Sequence, residues 1–459
     1  MPAEPAMEHL TSRLHAEMTP GASARMERRL TVADVGLLAM LSGDQRGATV
    51  APAAGGFATR VLISALIGMQ FPGPGAAIVE EHLVFDGVVH VDDVVTTELT
   101  VEEQIPDGRH VRLRATCSNA QGQVLAAGTL RVACPTERRE AGRPGDVTVA
   151  LHRYRDLEAL YERCRGKPPV RTAIVHPCDV DALVGPLEAA ERGLIVPVLV
   201  GPRRRIEATA QAAGVSLAGV EIVDVEHSHA AADRAVALAR EGRVAALMKG
   251  SLHTDELMGA VVSSATGLRT GRRISHVFVM DVPTYPKPLL ITDAAINIQP
   301  DLETKRDIVQ NAIDLAHILG IGQPKVAILS AVETVNPKLQ ATLDAAALCK
   351  MAERGQITGG ILDGPLAFDN AISTAAAQIK HITSAVAGDP DILLAPNLEA
   401  GNMIAKQLSY LAAARSAGIV LGTRVPIVLT SRADHARTRE ASAAVMALVA
   451  HAKQPPPQE

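Results

Sequence analysis

The chain has 459 residues, of which 47% are apolar and 21% charged, and its formal net charge is −5. This length suffices for two or three domains with buried cores, and the near balance of acidic and basic residues argues against a nucleic-acid-binding surface. With no Trp, four Tyr and five Phe, the chain also offers few aromatic rings on which bases could stack.

Five cysteines are widely spaced along the chain and form no Cys-x-x-Cys pair. This pattern argues against a disulfide framework and against a zinc site, and it favours a reducing compartment. The first 21 residues lack the apolar segment of a signal peptide, and no run approaches the about 20 apolar residues that a membrane span needs. We therefore expect a soluble, cytoplasmic protein that binds neither membranes nor nucleic acid.

The first domain is predicted to cover residues 25–134, after a flexible N-terminus of residues 1–24. Thr31 followed by Asp34 has capping-box spacing at the start of a short helix. The run FATRVLISALIGMQF (57–71) is apolar on nearly every side, which is typical of a buried helix. Apolar and polar residues then alternate in HVRLRATCSN (110–119) and neighbouring runs, which predicts strands. The pattern indicates an α+β domain in which an antiparallel sheet packs on one helix.

The runs GGFATRVLISALIGMQFPGPG and FDGVVHVDDVVTTELTVEE resemble the MaoC-type (R)-specific enoyl-CoA hydratase family, and the resemblance covers most of residues 31–134. It implies the hot-dog fold and a site in which an Asp and a His activate water for addition to an enoyl thioester. Asp44 stands at the Asp position, but Thr49 stands where the His belongs, and Thr does not titrate near neutral pH. We interpret the pair as a degenerate hydratase site, with a retained hydratase activity as the alternative.

Residues 135–150 combine charge, Pro and Gly without periodicity, which predicts a linker. Over residues 151–452, short apolar runs alternate with helical patterns, as in α/β proteins built from βαβ units. Residues 453–459 are predicted to be disordered. The sequence has no GxGxxG motif opening a helix and no Walker A motif, so the usual nucleotide-binding fingerprints are absent.

Three apolar runs in the last hundred residues, at 360–362, 392–395 and 425–429, each stop at small or polar residues before helix-like sequence. This arrangement predicts buried parallel strands, and α/β proteins bind ligands at the carboxyl ends of such strands. We therefore expect the chemistry of this domain where these runs end.

The residues that follow the last run, 431–434, give the most specific indication of a site. Ser431 and Asp434 have capping-box spacing, so a structural role as a helix start accounts for both. The same helix start presents free backbone N–H groups, the positive end of a helix dipole and the Arg432 guanidinium to an anion. Two other strand ends are open to two interpretations: Lys249 is a phosphate ligand or a turn residue, and Asp293 is a site residue or a helix-start residue.

The segments LMKGSLHT, LLITDAAIN, DGPLAFDNAIS, PNLEAGNMIAKQL and VPIVLTSRAD together resemble the phosphate acetyl/butyryltransferase family over residues 151 to about 450, most closely its butyryl branch. With the preceding MaoC-like domain, they match the arrangement described as a bifunctional enoyl-CoA hydratase/phosphate acetyltransferase. The resemblance implies a two-lobed α/β fold like that of isopropylmalate dehydrogenases and a homodimer or larger assembly. It implies the reaction acyl-CoA + phosphate ⇌ acyl phosphate + CoA, with CoA as a substrate and with no permanently bound cofactor or metal.

The resemblance also assigns roles to individual residues. Ser431 matches a Ser that interacts with the carbonyl oxygen or the oxyanion, and Arg432 matches an Arg that binds phosphate. Where the acetyl branch has a catalytic Asp, this chain has Thr438. Asp434 is therefore our candidate base for the CoA thiol, and Asp363 is the second candidate.

Four further residues complete the predicted substrate-binding set: Lys249, Asp293, Asn402 and Lys406, the last two from the segment GN-x-x-x-K. A metal- and NADP-dependent dehydrogenase on the same two-lobed fold is a further alternative. It requires carboxylates clustered around a divalent ion, and the sequence does not locate such a cluster.

Overall fold

The apolar side chains of this chain collect in separate cores on the two sides of residue 151, where the chain divides into units of residues 1–151 and 152–459. The computed structural model describes residues 10–42, 53–54, 56–141, 156–429 and 436–453. All five cysteines are free thiols. Within the described ranges, no helix is long and apolar enough to cross a lipid bilayer.

A five-stranded antiparallel sheet with a helix packed on it dominates the first unit. The strands of the first unit as a whole are β1 (Leu10–Thr11), β2 (Ser23–Arg29), β3 (Ala53–Ala54), β4 (Ala77–Phe85), β5 (Val89–His90), β6 (Val94–Gln104), β7 (His110–Ser118), β8 (Val124–Ala133) and β9 (Glu140–Ala141). Its helices are α1 (Val32–Ser42) and α2 (Gly56–Met69), with a 3-10 turn at His15–Glu17. The strand order in the sheet is β2-β6-β7-β8-β4.

The predicted alternation in β7 is confirmed, since Val111, Leu113 and Ala115 are fully buried and Arg112 and Arg114 are exposed. The helix α2 differs from the prediction, because only the face that meets the sheet is buried. Its buried residues are Ala58, Thr59, Leu62, Ile63, Leu66 and Ile67, whereas Phe57 and Val61 are exposed.

The predicted capping box at the start of α1 is also confirmed. The backbone N–H of Asp34 donates to Thr31 Oγ1 at 3.2 Å, and the backbone N–H of Thr31 donates to Asp34 Oδ2 at 2.9 Å. Two backbone donors at the helix start are thereby satisfied within four residues.

Residues 10–24 correct the prediction of a flexible N-terminus. β1 pairs antiparallel with β9, which lies inside the predicted linker of residues 135–150, and β2 already begins at Ser23. Met18 is fully buried in the core of the first unit. A single apolar anchor and two-residue strands produce no periodic pattern, which is why the sequence indicated neither.

The second unit is built on one eleven-stranded sheet with helices on both faces. Its strands are β10 (Val170–Val175), β11 (Ile195–Gly201), β12 (Glu221–Asp224), β13 (Ala246–Lys249), β14 (Ser275–Asp281), β15 (Leu289–Thr292), β16 (Lys325–Leu329), β17 (Ile361–Leu366), β18 (Ile392–Leu394), β19 (Arg415–Leu421) and β20 (Ile427–Val428). Its helices are α3 (Asp156–Cys164), α4 (Val180–Glu191), α5 (Arg203–Ala213), α6 (Ser228–Arg240), α7 (Thr254–Val262), α8 (Leu302–Ile318), α9 (Gln340–Glu353), α10 (Phe368–Ile372), α11 (Thr374–Ile379), α12 (Leu398–Leu411) and α13 (Ala436–Lys453).

The strand order is β12-β11-β10-β13-β20-β19-β14-β15-β18-β16-β17. The strands from β12 to β20 are parallel to one another, and so are those from β15 to β17, but the antiparallel pairs of β19 and β14 reverse the direction between the two groups. The runs at 360–362, 392–395 and 425–429 were predicted to form buried parallel strands, and each contributes a strand with a parallel neighbour. The two groups run in opposite directions, however, so that β20 is antiparallel to β17 and β18. Their carboxyl ends lie at opposite edges of the sheet.

The reversal also divides the hydrophobic core on one face of the sheet. On one face a single core runs from β11 to β16 beneath α4, α8 and α13. On the other face there are two separate cores, one formed by β10, β11, β13 and β20 with α6 and α7, and the other by β15, β16 and β18 with α10 and α12. Val420 of β19 belongs to the first of these cores and Met280 of β14 to the second. The two cores therefore part between β19 and β14, and this face has two lobes.

Lys305→Met is expected to lower the free energy of unfolding by about 3–5 kcal/mol, because it leaves a buried carboxylate without its cation. Lys305 Nζ lies 2.6 Å from Asp344 Oδ2, between α8 and α9, and the two side chains are 6% and 7% exposed. Urea denaturation of the full chain, followed by circular dichroism, measures the change. The matched control is Lys350→Met, which breaks an exposed ion pair with Glu353 on α9 and should leave the urea midpoint unchanged. Equal midpoints for the two variants would contradict the expectation.

Candidate functional site

The predicted site residues divide into two groups. Five of them lie outside the described residues: Ser431, Arg432, Asp434, Asp44 and Thr49. The structure describes the other five: Lys249, Asp293, Asp363, Asn402 and Lys406.

Lys249 is the last residue of β13, the strand next to β20. Met248 pairs with Val428, so that Lys249 lies beside Leu429, two residues before Ser431. Its side chain is 5% exposed, and Nζ donates to two carbonyl oxygens of the following turn at 3.1 and 3.3 Å. The structure therefore holds a buried ammonium group beside the strand that leads to the predicted catalytic Ser.

The turns that follow β10 and β13 pack closely against each other. A Cβ on Gly250 would lie 2.5 Å from the carbonyl oxygen of Val175, so no larger residue fits there without movement. His176 has a φ of 56° and is 4% exposed. Burial lowers the pKa of His176, and its Nδ1–H donates to the carbonyl oxygen of Ser251 at 3.1 Å. These contacts fix the backbone at the end of β13, where Lys249 lies.

Asp293 follows β15 and organises a tight turn. Its carboxylate accepts hydrogen bonds from the backbone N–H groups of Ala295 at 3.0 Å and of Ile296 and Asn297 at 3.1 Å, and from Asn297 Nδ2 at 2.5 Å. Burial raises the pKa of Asp293, while the four donors act in the opposite direction. The bonds give Asp293 a structural role in the turn.

The helix α12 packs directly on this turn. Asn402 Nδ2 donates to the carbonyl oxygen of Ala294 at 3.1 Å, and a Cβ on Gly401 would lie 2.3 Å from the carbonyl oxygen of Asp293. The structure therefore brings Asp293 and Asn402 together. Lys406, about one helical turn further along α12, is exposed.

The second unit matches proteins of one enzyme family. The family model described as phosphate acetyl/butaryl transferase matches residues 230–447. The phosphate acetyltransferase of Rhizobium meliloti is 64% identical over 293 residues, which are 64% of this chain and 93% of that protein. The chain belongs to the phosphate acetyl/butyryl transferase family.

A more distant relative and a solved structure extend the comparison. The phosphate butyryltransferase of Clostridium beijerinckii is 40% identical over 296 residues, which are 64% of this chain and 98% of that protein. The crystal structure of a branched-chain phosphotransacylase from Enterococcus faecalis V583 is 28% identical with a TM-score of 0.54, and the match covers 61% of this chain and 99% of that one. The fold of the second unit is therefore that of the phosphotransacylases.

Asp363, the second candidate base, lies in β17 at the far edge of the sheet. Six strand spacings separate β17 from β20, or roughly 29 Å at the usual separation of about 4.8 Å. Ser431 is two residues beyond Leu429, and two residues span at most about 7 Å. We therefore correct this assignment: Asp363 is too distant to act as a base beside Ser431. Burial, and secondly the Asp363 charge, raise the pKa of neighbouring Cys349 to about 12, so this thiol is protonated at neutral pH.

One polar residue in the middle of the sheet was missed by the sequence reasoning. His276 lies in β14 and is 1% exposed, and its Nδ1 has no hydrogen-bond partner among the residues that the structure describes. A His within the apolar run HVFVMDV was the signal that could have singled it out.

The dehydrogenase alternative requires carboxylates clustered around a divalent ion. In the described parts of the chain, no group of three His, Cys, Asp or Glu side chains is arranged to hold a metal ion. No observation on these residues favours that alternative.

Gly401→Ala is expected to reduce both stability and turnover, because the added methyl group pushes α12 away from the Asp293 turn. Such overpacking costs about 1–3 kcal/mol. Gly259→Ala is the matched control: Gly259 lies in the middle of α7 with open space around the Cβ position, so this change should raise stability by about 0.5–1 kcal/mol. Thermal unfolding and acyl-transfer assays of both variants test the expectation. Equal effects at the two positions would contradict the close approach at Gly401.

Proposed function

We propose that the second unit exchanges an acyl group between CoA and phosphate, in the reaction acyl-CoA + phosphate ⇌ acyl phosphate + CoA. The observation that carries this conclusion is the 64% identity to a phosphate acetyltransferase across 93% of that protein. The 40% identity to a phosphate butyryltransferase supports acetyl or a short homologue as the acyl group.

The chemistry requires two kinds of assistance. In the direction of acyl-CoA formation, the CoA sulfur attacks the carbonyl carbon of the acyl phosphate, the carbonyl oxygen becomes an oxyanion, and phosphate leaves as the C–O bond breaks. A thiol with a pKa of about 8.5 is only partly ionised at neutral pH, so a base promotes the attack. Hydrogen-bond donors and cations stabilise the oxyanion and the leaving phosphate.

We assign Ser431 to the oxyanion, Arg432 to the phosphate and Asp434 to the base. This assignment rests on the sequence resemblance, and one structural observation supports the location. β20 runs beside β13 toward the buried ammonium of Lys249, which supplies a positive charge for an anionic substrate. Phosphate and CoA both carry negative charge, so this placement suits either.

The other predicted binding residues have more indirect parts in the proposal. Asp293 and Asn402 fix the turn after β15 against α12, and so shape the second lobe rather than contact the reacting atoms. Lys406 is exposed on α12 and offers an ammonium group to the phosphates of CoA. A Lys406→Ala variant with an unchanged KM for CoA would rule out that contact.

Several properties of the whole chain remain predictions of the resemblance: a cytoplasmic location, a homodimer or larger assembly, no permanently bound cofactor, and a fold like that of isopropylmalate dehydrogenases. The five free thiols are compatible with a reducing compartment. Light scattering of the full chain tests the oligomeric state, and a single monomeric mass would contradict the predicted assembly.

Ser431→Ala is expected to lower kcat by about 100- to 1,000-fold with a smaller effect on KM, because it removes a donor needed mainly in the transition state. The assay follows loss of the CoA thiol on addition of acetyl, propionyl or butyryl phosphate. Ser216→Ala is the control, since Ser216 is exposed in the loop between α5 and β12. Unchanged turnover of the Ser431 variant would remove Ser431 from the mechanism, and absence of exchange by the parent chain would refute the function itself.

We further propose that the first unit is a MaoC-like hot-dog domain with a degenerate hydratase site. The five-stranded antiparallel sheet packed on α2 supports the fold, and Thr49 in place of a His supports the loss of activity. Retained hydratase activity, with the bifunctional arrangement it implies, is the alternative.

Addition of water to crotonyl-CoA by the full chain is expected to be undetectable, because Thr49 cannot transfer a proton near neutral pH. Loss of the enoyl thioester absorbance measures the reaction. If hydration is observed and Asp44→Asn abolishes it, the degenerate-site interpretation is wrong and the alternative holds. Thiol consumption measured on the same preparation confirms that the second unit is folded and active.

A further inference from the structure

His276 occupies the centre of the two-lobed face of the large sheet. It pairs with Val420 of β19, and Val420 pairs with Ile427 of β20. Both Val420 and Ile427 belong to the core of the first lobe, whereas Phe278, two residues along β14, packs against the core of the second lobe. His276 itself belongs to neither core. The imidazole therefore lies where the two lobes part.

The immediate surroundings of the ring place it beside the end of β20. A Cβ built on Gly418 would lie 3.0 Å from His276 Nε2 and 3.3 Å from the carbonyl oxygen of Leu429. The ring thus lies over Gly418, the one residue of β19 that has no side chain, and it points toward Leu429, the residue that follows β20. On its other side it meets the ring of Phe278 edge to face, with centroids 4.4 Å apart.

Stability does not account for a His at this position. The side chain is 1% exposed, and Nδ1 has no hydrogen-bond partner among the described residues. Buried polar atoms in folded proteins are nearly always hydrogen-bonded, because leaving them without a partner is unfavourable. An apolar side chain of similar size would fit the same apolar surroundings better. An unpartnered ring nitrogen where two lobes part points instead to a polar ligand.

The protonation state limits what the ring can do. Burial lowers the pKa of His276 to about 3, so the imidazole is neutral across the physiological range. A base this weak is poorly matched to a thiol with a pKa of about 8.5, so proton transfer from CoA to the ring is unfavourable. A neutral imidazole still carries one N–H group, and a neutral N–H donor can stabilise an oxygen on which negative charge develops.

We propose that His276 is a catalytic residue of the acyl transfer, and that its neutral imidazole donates a hydrogen bond to the carbonyl oxygen of the acyl group. The proton stays on nitrogen throughout; the bond strengthens as the thiolate adds to the carbonyl carbon and weakens again as phosphate leaves. This inference rests on the acyl exchange proposed above. It adds to the proposed site a hydrogen-bond donor from β14, which is separated from β20 by the single strand β19.

The test compares variants that keep or remove the N–H donor. His276→Phe keeps a ring and removes both nitrogens, and His276→Leu removes the ring as well. For both, kcat in the thiol-consumption assay with acetyl phosphate should fall about 100-fold or more, with the KM values for CoA and acetyl phosphate within about threefold of the parent. The midpoint of thermal unfolding should stay the same or rise, because an unpartnered buried polar atom is removed. His276→Gln, which restores a side-chain N–H donor, should recover about tenfold in kcat over the Phe variant.

The control is Val279→Ala on the same strand. Val279 is buried in the core on the opposite face of the sheet, so the variant should lower the thermal midpoint and leave kcat within about twofold. A folded His276→Phe or His276→Leu variant with kcat within about threefold of the parent would overturn the proposal. So would a loss of kcat that is accompanied by a fall in the thermal midpoint as large as that of Val279→Ala. If the parent chain itself consumes no thiol, the proposed function fails; if the parent is active and the His276 variants match it, only the present inference fails.

Discussion

The reversal of strand direction at β19 and β14 is the constraint on which the second unit depends. Without it, the eleven strands from β12 at one edge to β17 at the other would form one parallel sheet with one core on each face. With the reversal, one face keeps a continuous core while the other separates into two. The two lobes are nevertheless built on one hydrogen-bonded sheet. The continuous core behind the sheet keeps the lobes together, so the separation does not require two independent domains.

Close backbone approaches determine the residues that line this separation. Gly250 permits the turns after β10 and β13 to meet, Gly401 permits α12 to rest on the Asp293 turn, and Gly418 leaves room for the His276 ring. In each case a methyl group would meet a neighbouring atom at 3.0 Å or less, a distance at which the neighbour has to move. The positions of these segments therefore depend on glycines, which have no side chain, as much as on the neighbouring polar residues.

Much of this architecture was predictable from local pattern. The alternation in β7 and the Thr31–Asp34 capping box depend on residues near one another in sequence, and both were predicted correctly. The antiparallel orientation of β20 relative to β17 and β18 was not predictable, since a buried strand is apolar whichever way it runs. The same limitation explains Asp363: it follows a buried run much as Ser431 does, yet its strand lies at the other end of the sheet. Residue types near strand ends can be read from a sequence, whereas strand order decides which of them share a site.

Buried polar groups in this unit differ in how much of their hydrogen bonding the folded chain supplies. Lys305 and Asp344 are paired with each other, and Asp293 is satisfied by four donors of its own turn. For these groups the folded chain supplies every partner, so their presence is explained by the fold alone. For His276 Nδ1 the described residues supply none, although the ring is as deeply buried. Glu256 Oε2 and Asn370 Oδ1 also lack a hydrogen-bond partner among the described residues. Asn370 nevertheless donates to Glu333 through Nδ2, and Glu256 lies within ion-pair distance of His229. A substrate atom beside the His276 ring would supply the missing partner, and it would do so only while the substrate is bound.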